Sequence, residues 1–237
     1  MAELESRLTS EEVYLELRRR ILEHTLPPAT RINIRAISME LGVSSTPVRE
    51  ALRQLQGDNL LVGTSNKGYA TTDVLDARGV RALFEFRLLV EPWAASAAAA
   101  NRLGNPAHEL SQEIASFDPH AGPVNLMMIR HDSAFHQAIV RATDNPVLVD
   151  SYARSHCHLH LFRAFRTEWD WKRSVDQHRE IARAIELAQP EDAERAMRRH
   201  LHDAYLGFIE GLSSDGDGPL RTVMPELVID LSDRTWS

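Results

Sequence analysis

The sequence predicts a mainly α protein, with an N-terminal winged helix-turn-helix followed by an all-α helical bundle. Two short amphipathic segments separated by Gly42 precede two short segments that can pair as a hairpin, which is the order of a winged helix-turn-helix. Beyond residue 74 the chain shows long stretches of helical periodicity and few strand signals. We therefore expect a head over 1–73, a helical body over 74–212 and a flexible or extended tail over 213–237.

Composition sets limits on the class of protein. With 237 residues, 43% of them hydrophobic, the chain can bury enough apolar surface for two modest domains. Its net charge of −7 excludes a protein that coats nucleic acid by bulk charge. Cys157 is the only cysteine, so an intramolecular disulfide is excluded. No signal-peptide core and no run of membrane-spanning length is evident, so we expect a cytoplasmic protein with no membrane partner.

The first helices of the head are marked by their caps. Thr9 and Glu12 fit a capping box, which predicts a helix from about Ser10 that ends before the two prolines at 27 and 28. Asn33 can cap the next helix, and Gly42 supplies the backbone freedom to end it.

A second helix of the pair starts at Ser44, with Pro47 in its first turn, where a missing N–H is tolerated. Its apolar stripe is Val48, Ala51, Leu52 and Leu55. The opposite face carries Ser45, Thr46, Arg49 and Arg53. Hydroxyls and arginines at an exposed helix start suit phosphates and base edges, although a solvated face is the alternative. The segment 31–68 is locally basic within an acidic chain, as expected for a small DNA-reading head.

The stretch GVSSTPVREALRQL, followed by an Asn-Lys-Gly turn, resembles the DNA-binding domain of the GntR family of bacterial transcription regulators. The resemblance implies that Arg35, Thr46 and Arg49 contact DNA in or beside the major groove, and that Gly68 approaches the minor groove. Ser45 stands where many members of the FadR branch have an arginine. We count Ser45 among the DNA-binding residues and leave its base preference open.

The body is expected to contain helices in the following order. A long helix over 75–103 is bent by Pro92 and closed by Asn105 and Pro106, and a short segment follows over 107–117. A capping box of Ser174 and Gln177 is expected to open a later helix. The remaining helices are expected over 125–142, 147–165, 174–188 and 190–211. The tail segment ELVIDL could form a short strand or an extended arm.

Polar residues interrupt the apolar stripes of three body helices. Asp132 and His136 are four residues apart and therefore project from one helix face, and His178 and His200 each lie on an apolar stripe of a later helix. Burying three imidazoles and a carboxylate in an apolar bundle is costly unless each finds a partner, and one divalent cation satisfies all four. The alternatives are hydrogen-bonded core histidines and a simple Asp–His ion pair.

The segments DSAFH, QHREIARAI and AERAMRRHL resemble the FCD ligand-binding domain of the FadR and VanR branches of that family. The resemblance implies that Asp132, His136, His178 and His200 hold a divalent metal ion. Zinc or nickel is expected first, with manganese or iron as alternatives, because imidazole ligands discriminate weakly among them. The resemblance to the FCD domain also implies a small organic acid as effector, with its carboxylate bound by Arg87. The alternative for Arg87 is an ion pair with Glu91.

Three further histidines surround Cys157. His156 and His160 share a helix face from which Cys157 and His158 diverge, so the HCHLH segment cannot form one compact site on a helix. We expect one or two of these histidines to line the effector cavity and the rest to lie at its boundary.

These observations together predict a homodimeric, ligand-responsive transcription regulator, of the repressor type, that binds a palindromic operator in double-stranded DNA. A metal-dependent enzyme is the first alternative, since open metal positions can activate water, but no general base with a clear position is found. The second alternative is a regulator whose body serves only for dimerisation and whose histidines are structural. We expect no enzymatic activity.

Overall fold

The computed structural model describes residues 8–63, 68–164 and 170–214, and it confirms the predicted fold class. The chain separates into two compact units between Val74 and Leu75. The Asn66–Lys67 turn and the ELVIDL segment of the tail lie outside the described residues. None of the described helices is long and apolar enough to cross a lipid bilayer.

The first unit contains three helices and a two-stranded antiparallel sheet. Its elements are α1 (Ser10–Leu22), α2 (Ile34–Glu40), α3 (Ser45–Gly57), β1 (Leu61–Gly63) and β2 (Tyr69–Thr71). Leu61 pairs with Thr71 and Gly63 with Tyr69, and the chain before α2 joins the outer side of β2 through a bridge between Arg31 and Ala70. The helices bury one side of α1 against one side of α3, where Val13, Leu17 and Leu52 are at most 1% exposed.

The predicted caps of the first unit are confirmed. The Thr9 side chain accepts a hydrogen bond from the Glu12 amide, and the Glu12 carboxylate accepts one from the Thr9 amide, which completes the capping box. Asn33 caps α2, and Gly42 after it has a φ of 66°. The first helix ends at Leu22, earlier than the prolines suggested, because His24 adopts a left-handed conformation.

The second unit consists of seven helices among its described residues. They are α4 (Ala77–Ala100), α5 (Ala107–Ser116), α6 (Val124–Arg141), α7 (Pro146–Ser155), α8 (Cys157–Ala164), α9 (Trp171–Glu186) and α10 (Pro190–Ser214). The two longest, α4 and α10, pack along each other, and α6 and α9 pack against α4. Phe84, Phe135, Ile139 and Ile181 are fully buried where these helices meet.

Three helix boundaries differ from the predicted ones. The range 147–165 is two helices, because His156 has a left-handed backbone with φ of 45° that ends α7. The next helix, α9, begins at Trp171 with Asp170 as its cap, so the capping box predicted at Ser174 is wrong; Ser174 is buried within the helix. Finally, α4 runs without a break through Pro92 and ends at Ala100, and Asn101 is its C-cap.

We predict that Leu52→Ala destabilises the first unit by about 2–5 kcal/mol, because it deletes a fully buried side chain and leaves a cavity between α1 and α3. The measurement is hydrogen exchange of peptides from α3 in the full chain at increasing urea. Gln54→Ala, at an exposed position of the same helix, is the control and is expected to change stability by less than about 0.5 kcal/mol. Equal protection of the two variants would contradict the assigned core.

Candidate functional site

Four polar side chains meet in the interior of the second unit. Asp132 and His136 come from α6, His178 from α9 and His200 from α10, and each is at most 5% exposed. One ligand atom of each lies within 4.8 Å of those of the other three. The structure therefore brings together all four residues that the sequence proposed as metal ligands.

Each of the four also has a polar atom close to a neighbour outside the group, through an ion-pair distance without hydrogen-bond geometry at His136 and through a hydrogen bond at the other three. His158 Nδ1 lies 2.6 Å from Asp132 Oδ2, and Glu91 Oε2 lies 2.7 Å from His136 Nδ1. His131 Nε2 lies 3.0 Å from His178 Nδ1, and Gln177 Oε1 lies 3.1 Å from His200 Nδ1. Such outer partners fix ring orientation and tautomer in metal sites, and they leave the other atom of each ligand available.

The atoms left available face a common centre. Asp132 Oδ1 lies 3.4 Å from His178 Nε2 and 3.6 Å from His136 Nε2, close to the roughly 3.3 Å between neighbouring ligand atoms around a tetrahedral zinc. His178 Nε2 is buried and has no hydrogen-bond partner among the described residues. An orphaned imidazole nitrogen beside a carboxylate and two further imidazoles fits a divalent cation.

A buried ion pair borders the same centre. Arg87 Nε donates to Glu91 Oε1 at 2.5 Å, so the ion pair that the sequence offered as an alternative role for Arg87 is present. Arg87 Nη2 also lies 3.3 Å from His136 Nε2 and 4.0 Å from Asp132 Oδ2. The guanidinium is thus both paired with Glu91 and adjacent to two of the candidate ligands; a cation at the centre would replace its contact with His136.

Hydrogen bonds connect this ion pair to Asp132 through α7 and α8. Tyr152 Oη lies 2.6 Å from Glu91 Oε1 and 2.7 Å from His158 Nε2. Because the single phenolic proton goes to the carboxylate, His158 must donate to the phenol oxygen as well as to Asp132. His158 therefore carries both protons and forms a cationic bridge between Asp132 and Tyr152.

The pKa values follow from burial and these contacts. Burial disfavours charged His158, but the charges of Cys157 and Asp132 prevail and raise its pKa to about 9. Burial lowers the pKa of His178 to about 3 and that of His200 well below its usual value. For Asp132, burial favours the neutral acid, yet the neighbouring His136 and His158 hold its pKa well below the usual range. The site thus combines an ionised carboxylate with the neutral imidazoles of His178 and His200, the protonation that metal ligation requires.

Sequence reasoning missed two histidines of this network. It expected the segment around Cys157 to contribute boundary or cavity-lining residues, but His158 is buried and bonded to Asp132, while His156 and His160 are half-buried. His131 joins His178 to Glu113, with its Nδ1 3.1 Å from Glu113 Oε1. The spacing of four between His131 and Phe135 was the signal that His131 lies on the inward stripe of α6.

Glu91, Cys157 and His158 form a second group with ligand atoms close enough for a metal ion. Both oxygens of Glu91 and both nitrogens of His158 are already engaged in the network described above. Burial raises the pKa of Cys157, but the adjacent His158 lowers it to about 7. We therefore assign this group to the support of the first site.

In the first unit, the residues proposed for DNA contact are accessible. Arg35 on α2 and Ser45, Thr46 and Arg49 at the start of α3 are exposed, whereas the apolar stripe of α3 is buried. Gly68 is half-buried and directly precedes β2. The unit presents hydroxyls and guanidinium groups at the N-terminal end of α3, where backbone amides add to the attraction for phosphate.

Comparison with protein families identifies the chain. The model described as bacterial regulatory proteins, gntR family, matches residues 9–70, and the FCD domain model matches residues 82–203. The chain belongs to the GntR family. It is a DNA-binding transcription regulator of the GntR type with an FCD domain.

Curated GntR relatives cover most of the chain. The "Nta operon transcriptional regulator" of Aminobacter aminovorans is 26% identical over 78% of this chain and 88% of its own. The "Probable D-xylose utilization operon transcriptional repressor" of Paenarthrobacter nicotinovorans is 28% identical over 78% of this chain and 82% of its own. Among solved structures, McbR/YncC of E. coli superposes with a TM-score of 0.65, at 18% identity and with coverage of 85% and 97%, which shows the shared fold.

We predict that acid destabilises the metal-free protein. His178 stays neutral down to about pH 3 in the folded chain, whereas a histidine of the unfolded chain takes up a proton near about pH 6.5. The free energy of unfolding should therefore fall as the pH drops below about 6.5, by up to about 1.4 kcal/mol per pH unit for each histidine kept neutral. Asp132, with its lowered pKa, acts in the same direction at lower pH.

Urea unfolding at pH 5 to 7, after chelation of metals, measures this effect. His178→Leu is expected to flatten the dependence, and His202→Gln, at an exposed position of α10, is expected to leave it unchanged. A free energy of unfolding that is constant from pH 7 to 5 would show that these imidazoles are not buried in neutral form.

Proposed function

We propose that this GntR regulator senses a small organic acid through a divalent metal ion in its FCD domain. The observation that carries the proposal is the convergence of Asp132, His136, His178 and His200. The outward atom of each lies within 3.1 Å of an outer partner, and its inner atom faces the other three. FCD domains bind metals, which supports the assignment. Zinc or nickel suits three imidazoles and one carboxylate, and manganese or iron is the alternative.

The effector is proposed to bind through its carboxylate. A bound ion with four protein ligands can still accept an oxygen by expanding its coordination, and it would supply the positive charge that a carboxylate needs in an apolar interior. Arg87, adjacent to His136 and Asp132, offers further donors on the same side. Its existing pairing with Glu91 fixes the direction of the guanidinium before the acid arrives.

DNA binding is proposed for the first unit, through Arg35, Ser45, Thr46 and Arg49, with Gly68 of the wing beside the minor groove. A homodimer would place two such units on the half-sites of a palindrome. The acid would act by favouring a dimer arrangement in which the two half-sites are not met together, which requires unequal affinity for the two arrangements. The name of the Paenarthrobacter relative, a probable transcriptional repressor, supports the proposal of a repressor. The proposed site of action is the cytoplasm.

Metal content tests the first part of this proposal. We predict that untagged protein binds about one divalent ion per chain, and that His178→Ala and His200→Ala each lose it while remaining folded. Inductively coupled plasma mass spectrometry measures the content, and circular dichroism checks folding. His202→Ala is the matched control on α10 and should keep the ion. Full metal content in the His178→Ala and His200→Ala variants would contradict the proposed metal site and would show that the two histidines are structural core residues.

DNA affinity tests the second part. We predict that Arg49→Ala weakens binding to duplexes selected from a random library by about 5- to 150-fold, the equivalent of about 1–3 kcal/mol for a bidentate base contact. Gln54→Ala, about 140° around the α3 axis from Arg49, is the control and should bind like the wild type. Fluorescence anisotropy measures both affinities. Unchanged binding by Arg49→Ala, or selected duplexes without a two-fold repeat, would contradict this reading of the head.

A further inference from the structure

A small cavity opens beside the candidate metal centre. Its volume is about 10 Å³, enough for roughly one water molecule. Three polar residues of the site form one end, and four apolar residues form the rest of its lining. The residues are Arg87, Asp132 and His200 at the first end, and Leu161, Phe162, Ala204 and Phe208 at the second.

The two ends differ sharply in chemistry. At the first end a carboxylate could meet the proposed cation, held by Asp132 and His200, and the guanidinium of Arg87. The side chains at the second end are hydrocarbon and offer no hydrogen-bond donor or acceptor. Any polar group of a ligand that was buried against them would lose its hydration without replacement, at substantial cost in binding free energy.

We infer that the effector is a monocarboxylic acid with a compact apolar tail, and not a dicarboxylic, tricarboxylic or sugar acid. This inference rests on the proposed metal-dependent function and specifies its ligand. The carboxylate is placed at the metal and Arg87, and the tail is placed among Leu161, Phe162, Ala204 and Phe208. Because the cavity is small, the tail must displace side chains; Phe162 and Ala204, with 7% and 8% of their surface exposed, are the most exposed apolar residues of the lining.

The tail would also contact the helix that supports the metal ligands. Leu161 and Phe162 belong to α8, and the same helix carries His158, whose imidazole holds Asp132 Oδ2 at 2.6 Å. A tail that moves Leu161 and Phe162 therefore acts on the helix that positions Asp132. The tail and the metal site are therefore linked through α8, a short helix of 8 residues. An acid without a tail makes no contact with Leu161 or Phe162.

Titration calorimetry on zinc-loaded full-length protein tests the inference. The probes are acetate, propionate and butyrate, with succinate and 3-hydroxybutyrate as analogues of butyrate that carry one extra polar group. Each added methylene is expected to tighten binding by up to about four-fold, the equivalent of about 0.8 kcal/mol, because displacing side chains offsets part of the gain from burial. Succinate and 3-hydroxybutyrate should each bind at least about ten-fold more weakly than butyrate, because their second polar group faces the apolar end.

A variant locates the tail. Ala204→Val adds two methyl carbons to the apolar end, so butyrate should lose at least about ten-fold in affinity and acetate clearly less. Zinc content is measured in the same samples to show that the metal centre is intact. Leu206→Val, at an exposed position two residues further along α10, is the matched control and should leave the order and size of the affinities unchanged.

The outcomes separate this inference from the function on which it rests. Absence of bound zinc, or zinc without affinity for any acid, contradicts the proposed function itself. Two results with bound zinc would overturn only the inference of an apolar monocarboxylate. One is tighter binding of succinate or 3-hydroxybutyrate than of butyrate, and the other is equal affinity for acetate, propionate and butyrate. Equal losses of acetate and butyrate affinity in Ala204→Val overturn the placement of the tail.

Discussion

Two buried carboxylates, Asp132 and Glu91, impose the arrangement of the helical unit, because a charge in an apolar interior must be paired and hydrogen-bonded. Glu91 is met by Arg87 from its own helix, by Tyr152 from α7 and by His136 from α6. Asp132 is met by His158 from α8 and faces His178 from α9. The packing of five helices thus depends on satisfying two negative charges, and this requirement brings the histidines to one point.

The same network prepares the histidines for metal ligation. Neutral imidazoles and an ionised carboxylate are the forms that bind a cation. Burial keeps His178 and His200 neutral, and the neighbouring histidines keep Asp132 ionised, before any ion is bound. His158 has an opposite role: as a cation between Asp132 and Tyr152 it directs one carboxylate oxygen away from the centre and leaves the other facing it. A site prepared in this way loses little conformational entropy on binding its ion.

Sequence reasoning recovered the features that are local to one helix. The capping box at Thr9, the cap at Asn33 and the apolar stripe of α3 depend on residues within a few positions of one another, and the structure confirms each of them. The pairing of Asp132 with His136 follows likewise from the helical repeat. A local signal failed where it competed with another. The sequence contains a possible capping box at Ser174, but Asp170 caps the helix four residues earlier and Ser174 is buried in the core.

By itself, then, the sequence determined the two-part organisation, the family, the inward direction of four polar residues and the exposed basic face of α3, since these depend on the periodicity and motifs of single segments. Only the tertiary structure decided that His158, His131 and Tyr152 support those four residues, and that Arg87 is paired with Glu91 while it borders the site. The left-handed turn at His156 reorients the chain and brings His158 to Asp132. Contacts between helices depend on how separate segments pack, and no spacing along one helix encodes them.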